Sequence, residues 1–199
     1  MTQRAAKIHC AVLAVDMGGP IFRQQGVPTE GAVDALRELV RRRFGEKVHL
    51  ISYCPPERQQ YRRERFEEKI FEDPITKQRY NFYDWTGVLR EHVHFCAEAS
   101  DKAVVCSKVA ATHYVENQIE ALKHICTVPF LHLFHPLPEE CVANPTFMQY
   151  VFDPEIHSES ERHRRPIRLE REWTPAFIDR LCKPGVFLTL RRSGRVPLL

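Results

Sequence analysis

Apolar residues occur along the chain in two alternating patterns, short unbroken runs and groups spaced three or four residues apart. The unbroken runs predict five buried strands, at residues 8–16, 48–53, 93–96, 111–115 and 128–134. The spaced groups predict helices between them, at residues 29–44, 57–70, 101–108 and 117–125. Because strands and helices alternate, we predict an α/β fold, a single-domain Rossmann-like parallel sheet with helices on both faces.

The alternation stops after Pro136, and this change separates two regions of the predicted domain. Residues 1–136 are expected to form the α/β core, with an irregular segment at 71–91 where turn signals accumulate. Residues 137–199 are expected to form an irregular, basic extension packed on that core, with a helix at 175–181 and a loose tail. With 199 residues, 43% of them hydrophobic, the chain can bury a sizeable core.

Positive charge is concentrated at one end of the chain. The formal net charge of only +3 gives no bulk positive field, which argues against nucleic acid as a partner. Arginines nevertheless crowd the C-terminal region, at Arg162, Arg164, Arg165, Arg168, Arg171, Arg180, Arg191, Arg192 and Arg195. A solvated face is the simpler explanation, and a contact surface for an acidic partner is the alternative. A role in nucleic acid processing would rest on this region alone.

The cysteines and the N-terminus bear on cellular location. The seven cysteines are scattered and form no C-x-x-C pair: Cys10, Cys54, Cys96, Cys106, Cys126, Cys141 and Cys182. This distribution is typical of reduced, core-packed thiols rather than of a disulfide framework. No signal-peptide apolar stretch follows the polar residues 1–7, and no segment reaches the roughly 18 apolar residues of a membrane span. We therefore expect a cytoplasmic protein without a membrane partner.

Polar residues that can bind a phosphate or a cation follow the ends of the predicted strands. They are Asp16 after the first strand, Ser52 at the end of the second, Lys102 at the start of the helix after the third, and Glu116 and Asn117 after the fourth. The carboxyl ends of parallel strands meet at one edge of a sheet, so we expect these groups to lie together. Oxygen ligands suit Mg²⁺, and a lysine with a hydroxyl can offset charge on a phosphoryl group.

Several of these residues also have purely structural explanations. Asp16 could be a solvated residue at a tight turn, and Ser52 could simply end its strand. Glu116 could begin a helix, where negative charge is favourable. Lys108 competes with Lys102 for the role of the cation.

Two further groups of residues are better explained by packing. His92, His94 and Cys96 alternate as metal ligands could, but no fourth ligand has a suitable spacing, so strand packing explains them better. The aromatic residues Phe82, Tyr83 and Trp85 could line a pocket, although a core anchor for the segment at 71–91 is the stronger interpretation.

The ordered pieces between residues 8 and 135 resemble the haloacid dehalogenase-like (HAD) superfamily. The run Val15-Asp16-Met17-Gly18-Gly19-Pro20 is similar to the first motif of that family, and Leu50-Ile51-Ser52 is similar to the second. The third motif is a lysine, matched by Lys102, and the fourth is a strand followed by paired acids, where this chain has Glu116-Asn117. The ordered pieces between His94 and Leu122, with Asp101-Lys102 and Thr112-His113 among them, look like an uncharacterised branch of this family. A cap domain after the first motif is not expected, because only a short loop separates Asp16 from Thr29.

This resemblance implies a Mg²⁺-dependent phosphatase acting on a small phosphorylated substrate. Asp16 would attack phosphorus to form an aspartyl-phosphate, which water would then release. Ser52 and Lys102 would hold the phosphoryl oxygens. Asp16, Glu116, Asn117 and the backbone carbonyl of Gly18 would hold Mg²⁺.

Departures from the family pattern lead to a second hypothesis. Gly18 stands where the family usually has its acid/base aspartate, whose loss typically costs about 10²–10⁴-fold in rate. Pro20 replaces the usual Thr or Val, and Asn117 replaces one of the paired acids, which weakens Mg²⁺ binding. The chain is therefore expected to be either a hydrolase of low activity or a HAD-derived binding or scaffolding protein that has lost catalysis.

Overall fold

The computed structural model describes residues 11–23, 26–158 and 166–183. Its strands, in chain order, are β1 (Leu13–Asp16), β2 (Val48–Tyr53), β3 (Ile70–Glu72), β4 (Arg79–Asn81), β5 (Val93–Cys96), β6 (His113–Glu116), β7 (Phe130–Phe134), β8 (Val151–Phe152) and β9 (Ile167–Glu170). Seven of them form one sheet in the order β5-β2-β1-β6-β7-β9-β8, and every pair in it is parallel. The predicted α/β fold with a parallel sheet is confirmed.

Strand β1 lies where the strand order of the sheet changes direction. From β1 the chain builds outward through β2 to β5, and then crosses to the other side of β1 to form β6 and β7. The order therefore reverses between β1 and β6. In open α/β sheets, ligands bind beyond the carboxyl ends of the strands at such a reversal.

Helices cover both faces of the sheet. They are α1 (Ala32–Leu39), α2 (Pro56–Glu68), α3 (Phe82–Thr86), α4 (Asp101–Lys108), α5 (Ile119–Lys123), α6 (Pro138–Ala143), α7 (Pro145–Met148) and α8 (Pro175–Cys182). Leu13 and Val15 of β1 pack in one apolar cluster with α1, α3 and α8. Ala14 lies in a second cluster on the opposite face, with α4 and α5. Because β1 is covered on both faces, its residues read as an unbroken apolar run.

The predicted first helix differs from the structure at both ends. Helix α1 begins at Ala32, because Gly31 adopts a positive φ of 71° and the hydroxyl of Thr29 donates to the carbonyl of Gly19 instead of capping the helix. After Leu39 the backbone continues as one turn of π-helix, Val40–Phe44, and Gly45 ends it as predicted.

The segment at 71–91, predicted to be irregular, is regular over much of its length. Strands β3 and β4 form an antiparallel hairpin, and α3 follows directly. Asn81 caps α3, because its side chain accepts a hydrogen bond from the backbone N–H of Asp84. Phe82, Tyr83 and Trp85 are buried in the first cluster, so they are the core anchor that the sequence favours.

The sheet continues past residue 136. Strands β8 and β9 belong to the predicted extension, yet β9 pairs with β7 along the whole of Leu131–Phe134. The predicted helix at 175–181 is present as α8, which packs in the first cluster through Phe177 and Leu181. No helix in the described part of the chain has the length and apolar character of a membrane span. The described cysteines are all unpaired; Cys54, Cys96 and Cys106 are buried, whereas Cys126 is exposed.

Candidate functional site

A buried lysine joins two carboxylates at the point where the strand order reverses. The Nζ atom of Lys102 lies 2.8 Å from Asp16 Oδ1 and 2.8 Å from Glu116 Oε2. The exposed fractions of the three side chains are 2% for Lys102, 5% for Asp16 and 0% for Glu116. Three of the sequence-predicted site residues therefore meet in one buried ion cluster, and we refer to them as the Asp16–Lys102–Glu116 triad.

Strand register and helix position bring the triad together. Val15 pairs with Val115, so the next residues, Asp16 and Glu116, end neighbouring strands side by side. Helix α4 begins at the carboxyl end of the sheet, and Lys102 in its first turn points inward. Lys108, its competitor in the sequence, lies at the other end of α4 and is exposed. Lys102, and not Lys108, is thus the lysine that contacts Asp16 and Glu116.

The Glu116 carboxylate has a complete set of hydrogen-bond donors. Its Oε2 accepts from Lys102 Nζ and from the Tyr114 hydroxyl, at 2.8 and 2.6 Å. Its Oε1 accepts from the backbone N–H groups of Asn117 and Gln118, each at 3.1 Å. A carboxylate offers about four lone-pair positions, and all of them are used here. Glu116 is therefore a fixed anchor for Lys102.

The triad carries an excess of negative charge. With both carboxylates ionised and Lys102 protonated, its net charge is −1 in a buried environment. Burial and the charge of Glu116 raise the pKa of Asp16 to about 8, although Lys102 acts in the opposite direction. Burial disfavours the Lys102 ammonium, but attraction to Asp16 and Glu116 outweighs it and raises the pKa of Lys102 to about 12. The triad is therefore suited to taking up one further positive charge at Asp16, as a proton or as a cation.

A second feature of the site is a group of oxygen atoms beside Asp16. With its amide nitrogen toward them, Asn117 donates to the Gly18 carbonyl at 2.6 Å and to Glu116 Oε1 at 3.2 Å. In the opposite orientation, Asn117 Oδ1 would face these two oxygens. Gly19, with φ of 102°, lies against this amide so closely that an added Cβ would come within 2.6 Å of it. The backbone at Gly18 and Gly19 is thus shaped around Asn117.

The oxygen atoms around Asn117 are candidate ligands for a Mg²⁺ ion. The described residues contain no group of three or more His, Cys, Asp and Glu side chains placed to hold a metal. A carbonyl, an amide oxygen and one carboxylate are nevertheless donors that Mg²⁺ accepts, since it keeps several waters. The Asn117 amide and the Gly18 carbonyl oxygen lie 2.6 Å apart, close to the roughly 3 Å between neighbouring ligands of an octahedral Mg²⁺. The donor set fits the ion when Asn117 presents its oxygen.

Ser52 lies apart from the triad. Its hydroxyl donates to the carbonyl of Tyr53 at 3.2 Å. Asp16 pairs in register with Ile51, and side chains alternate along a strand, so Ser52 starts from the opposite face of the sheet. The structure therefore brings together five of the predicted site residues: Asp16, Gly18, Lys102, Glu116 and Asn117. Ser52 lies at the same edge of the sheet, but in the described part of the chain it forms no hydrogen bond to them.

Two supporting residues were not identified from the sequence. Tyr114 is buried and donates to Glu116, and it could have been found because it precedes Glu116 by two residues on the same face of β6. Trp173 donates from Nε1 to the Pro20 carbonyl at 2.8 Å and so fixes the loop after Asp16. No local signal predicts this second contact, because it joins residues far apart in the chain.

The histidines near β5 pack against one another. His92 lies in a 3-10 turn before β5 and stacks on His49, with ring centroids 4.0 Å apart. His49 Nδ1 lies 3.0 Å from His94 Nε2. Burial, together with His92 and His94, lowers the pKa of His49 to about 4, so His49 is neutral at pH 7. These contacts are the packing that the sequence favours over metal binding.

The described part of the arginine-rich region is neutralised within the chain. Arg168 and Arg180 both pair with the buried Glu170, at 3.2 and 2.5 Å. Arg171 pairs with Asp153 at 2.7 Å. The other arginines of the predicted contact surface lie outside the described residues: Arg162, Arg164, Arg165, Arg191, Arg192 and Arg195.

Comparison of the chain with protein-family models, with curated proteins and with solved structures gave no match.

Proposed function

We propose that this protein is a HAD-like phosphoryl hydrolase in which Asp16 is the nucleophile. The observation that supports the proposal is the Asp16–Lys102–Glu116 triad at the reversal of the strand order. A nucleophilic carboxylate needs a fixed orientation and a partner that holds its charge, and Lys102 provides both. A buried ion cluster is costly to assemble, so its position at the ligand-binding edge of the sheet favours a functional role.

Each residue of the site has a distinct role in this proposal. Asp16 attacks phosphorus, and the bond from phosphorus to the leaving oxygen breaks; water then hydrolyses the aspartyl-phosphate. Lys102 orients Asp16 and balances charge, while Glu116 positions Lys102 because its own lone pairs are already occupied. Ser52 would reach the phosphoryl oxygens only after its hydroxyl turns away from Tyr53.

The residues that would hold Mg²⁺ are Asp16, Asn117 through Oδ1 and Gly18 through its carbonyl. Glu116, which the family resemblance includes among the ligands, is left out of this set because its carboxylate already accepts four hydrogen bonds. When bound, the ion would neutralise charge on the transferring phosphoryl group. Asn117 can serve both states of the site, because its amide donates to Gly18 without the ion and its oxygen faces the ion when one is bound.

The test is hydrolysis of an aryl phosphate in the presence of Mg²⁺. The wild-type protein should turn over, and Asp16→Asn should remove turnover because an amide is not a nucleophile here. Asp84→Asn is the matched control, since Asp84 is exposed and lies on α3, away from the triad. Equal rates for the wild type and Asp16→Asn would reject the nucleophile assignment.

A second variant tests the absence of an acid at Gly18. Alkyl phosphates should be poor substrates, because an alkoxide leaves poorly without a proton. A Cβ at Gly18 would meet only Asp16 Oδ2, at an ordinary contact distance of 3.5 Å, so a side chain fits there. Gly18→Asp should therefore extend turnover to alkyl phosphates by about 10²-fold or more.

The alternative function is a HAD-derived binding or scaffolding protein without catalysis. The observation that favours it is the burial of the Asp16 side chain, of which 5% is exposed, because substrate must reach a nucleophile. Under this alternative the triad would be structural, and neither Asp16→Asn nor Gly18→Asp would change a background rate. The aryl phosphate assay thus separates the two hypotheses.

A further inference from the structure

Three consecutive carbonyl groups follow the end of β1, and each accepts a hydrogen bond from a side chain of a distant segment. We refer to the residues that carry them as the carbonyl loop: Gly18, Gly19 and Pro20. The amide of Asn117, with its nitrogen toward the loop, donates to the first carbonyl at 2.6 Å. The hydroxyl of Thr29 donates to the second at 2.6 Å, and Nε1 of Trp173 donates to the third at 2.8 Å. The orientation of the carbonyl loop is therefore set by side chains that other parts of the fold supply.

Thr29 and Trp173 are buried donors that the fold holds in place. Only 8% of Thr29 and 6% of Trp173 is exposed. The backbone N–H of Thr29 donates to the Ile21 carbonyl at 2.8 Å. The indole of Trp173 stacks on Phe177 with ring centroids 5.1 Å apart, and it lies 5.3 Å from the ring of Phe134. Because both donors are fixed by these contacts, the carbonyl groups that they hold are fixed as well.

The segments that carry the two donors also pack against each other. An added Cβ at Gly31, which lies two residues after Thr29 and has φ of 71°, would be 3.5 Å from the Trp173 carbonyl oxygen. On the other side of Trp173, the hydroxyl of Thr174 caps α8 by accepting from the backbone N–H of Phe177 at 3.2 Å. The residues before α1 and before α8 thus form one packed unit beside the carbonyl loop.

The backbone of the carbonyl loop lacks the hydrogen bonds that would hold its outer end. The Gly19 N–H donates to the Phe22 carbonyl and the Phe22 N–H donates to the Met17 carbonyl, each at 2.8 Å, and these bonds close the base of the turn. Pro20 has no N–H, so the peptide between Gly19 and Pro20 can be held only through its carbonyl. The side-chain donors supply the bonds that this part of the backbone does not make.

The carbonyl loop matters to the candidate site because Gly18 lies against Asp16. An added Cβ at Gly18 would be 3.5 Å from Asp16 Oδ2, and the Gly18 carbonyl is one of the candidate ligands of Mg²⁺. Two adjacent glycines give the backbone wide conformational freedom. Mg²⁺ demands nearly ideal octahedral placement of its ligands, and a functional group has to be held within about 0.5 Å of its productive position. This loop therefore has to be held from outside.

We propose that Thr29 and Trp173 are positioning residues, which keep the Gly18 carbonyl in place as a ligand for Mg²⁺. The inference rests on the proposed function, because it concerns the ion that the hydrolase would use. Both residues act through the carbonyl loop, by holding the Gly19 and Pro20 carbonyls, and neither is a ligand itself. Through Trp173, the C-terminal region of the chain takes part in the site.

The first experiment measures Mg²⁺ binding, independently of turnover. Thermal melts of the full chain with increasing MgCl₂, matched for ionic strength with NaCl, give an apparent dissociation constant. Trp173→Phe keeps an aromatic ring in the stack and removes the N–H, and Thr29→Val keeps the shape and removes the hydroxyl. Each should raise the constant about three- to tenfold, the range expected for the loss of one hydrogen bond. Thr29→Val alone provides the test if Trp173→Phe does not fold.

Helix α3, which lies away from the triad, offers a matched control for each variant. Trp85 is also buried and donates from Nε1 to Asp34 at 3.0 Å. Thr86 is buried as well, and its hydroxyl donates to the Phe82 carbonyl at 2.8 Å. Trp85→Phe and Thr86→Val lose the same kinds of hydrogen bond and should be destabilised, but their dissociation constants for Mg²⁺ should stay within about twofold of the wild type.

The second experiment separates positioning from a general structural effect on turnover. With an aryl phosphate as substrate, the Mg²⁺ concentration that gives half of the maximal rate should rise in Trp173→Phe and Thr29→Val by the same factor as the dissociation constant. At saturating Mg²⁺, kcat should return to within about twofold of the wild type. A lower kcat with an unchanged Mg²⁺ requirement would overturn the positioning role.

The outcomes distinguish this inference from the proposed function. One shared dissociation constant for all variants, or equal weakening in the two controls, would overturn the positioning role and retain the hydrolase if turnover depends on Asp16. Weaker Mg²⁺ binding in Trp173→Phe and Thr29→Val, without any Asp16-dependent turnover, would retain the positioning role and overturn the hydrolase. A wild-type protein whose melting temperature does not respond to Mg²⁺ would overturn the inference, whatever the rate of hydrolysis.

Discussion

The Lys102 side chain holds the triad together, and its removal should be more damaging than that of an ordinary surface lysine. Lys102→Met leaves two buried carboxylates without a counterion, and breaking a buried pair in this way costs about 3–5 kcal/mol. Lys108→Met on the same helix removes an exposed ammonium and should change the free energy of unfolding by less than about 0.5 kcal/mol. Urea unfolding of both variants measures the difference. Equal midpoints would show that Lys102 does not stabilise the fold.

The Asp16 carboxyl should make the free energy of unfolding depend on pH in an unusual way. Its pKa rises from an ordinary 3.8 to about 8 on folding, so the folded protein binds a proton that the unfolded chain releases between these values. The contribution to stability is fully present below pH 3.8 and is lost as pH rises through about 8.

Asp16→Asn cannot titrate, so it provides the comparison. Between pH 4 and 8 the free energy of unfolding of the wild type should fall relative to that of Asp16→Asn, without added metal. Urea unfolding at several pH values measures this difference. A constant difference across the range would mean that Asp16 is ionised throughout, as in an isolated ion pair with Lys102.

The loop after β1 positions the Gly18 carbonyl beside the Asn117 amide, and Gly19 is the critical residue of this loop. Gly19→Ala would strain a backbone with φ of 102° and would push against the Asn117 amide. Gly45→Ala is a matched control, since Gly45 also has positive φ but has nothing within 4 Å of an added Cβ. Both should lose about 1–3 kcal/mol through strain, and Gly19→Ala should lose more. Urea unfolding ranks them, and the opposite order would show that the contact with Asn117 relaxes freely.

The central strands of the sheet were predictable from the sequence because apolar residues surround them on both faces. Residues of β1 contact apolar clusters on both faces, which leaves an unbroken apolar run in the sequence. Strands β3, β4 and β9 contain alternating polar residues such as Arg168 and Glu170, and β8 has only two residues, so their patterns are weak. Their pairing depends on distant partners that no local signal specifies.

At the scale of the whole molecule, the C-terminal region supports the candidate site. Strand β9 extends the sheet beside β7, α8 packs in the cluster that contains α1, and Trp173 holds the Pro20 carbonyl. The sequence predicted which polar residues collect at one edge of the sheet, since that follows from strand order alone. It could not show that Glu116 is saturated with hydrogen bonds or that Ser52 turns away, because both depend on side-chain contacts.

Binding of Mg²⁺ provides a test of the site through the stability of the whole protein. A ligand that binds only the folded state raises the melting temperature as its concentration rises. Because protons and Mg²⁺ compete for Asp16, whose pKa is about 8, the increase should be larger at pH 8.5 than at about pH 6.

Thermal melts with increasing MgCl₂, matched for ionic strength with NaCl, measure this increase. Asp16→Asn should reduce it because the negative charge of the carboxylate is lost, and Asn117→Leu should reduce it because the amide oxygen is lost. Asp84→Asn controls for the loss of an exposed acid on α3. An equal increase in the wild type and Asp16→Asn would place the metal elsewhere or reveal a general salt effect. An increase that is unchanged between the two pH values would separate metal binding from the protonation of Asp16, and would exclude Asp16 as a ligand.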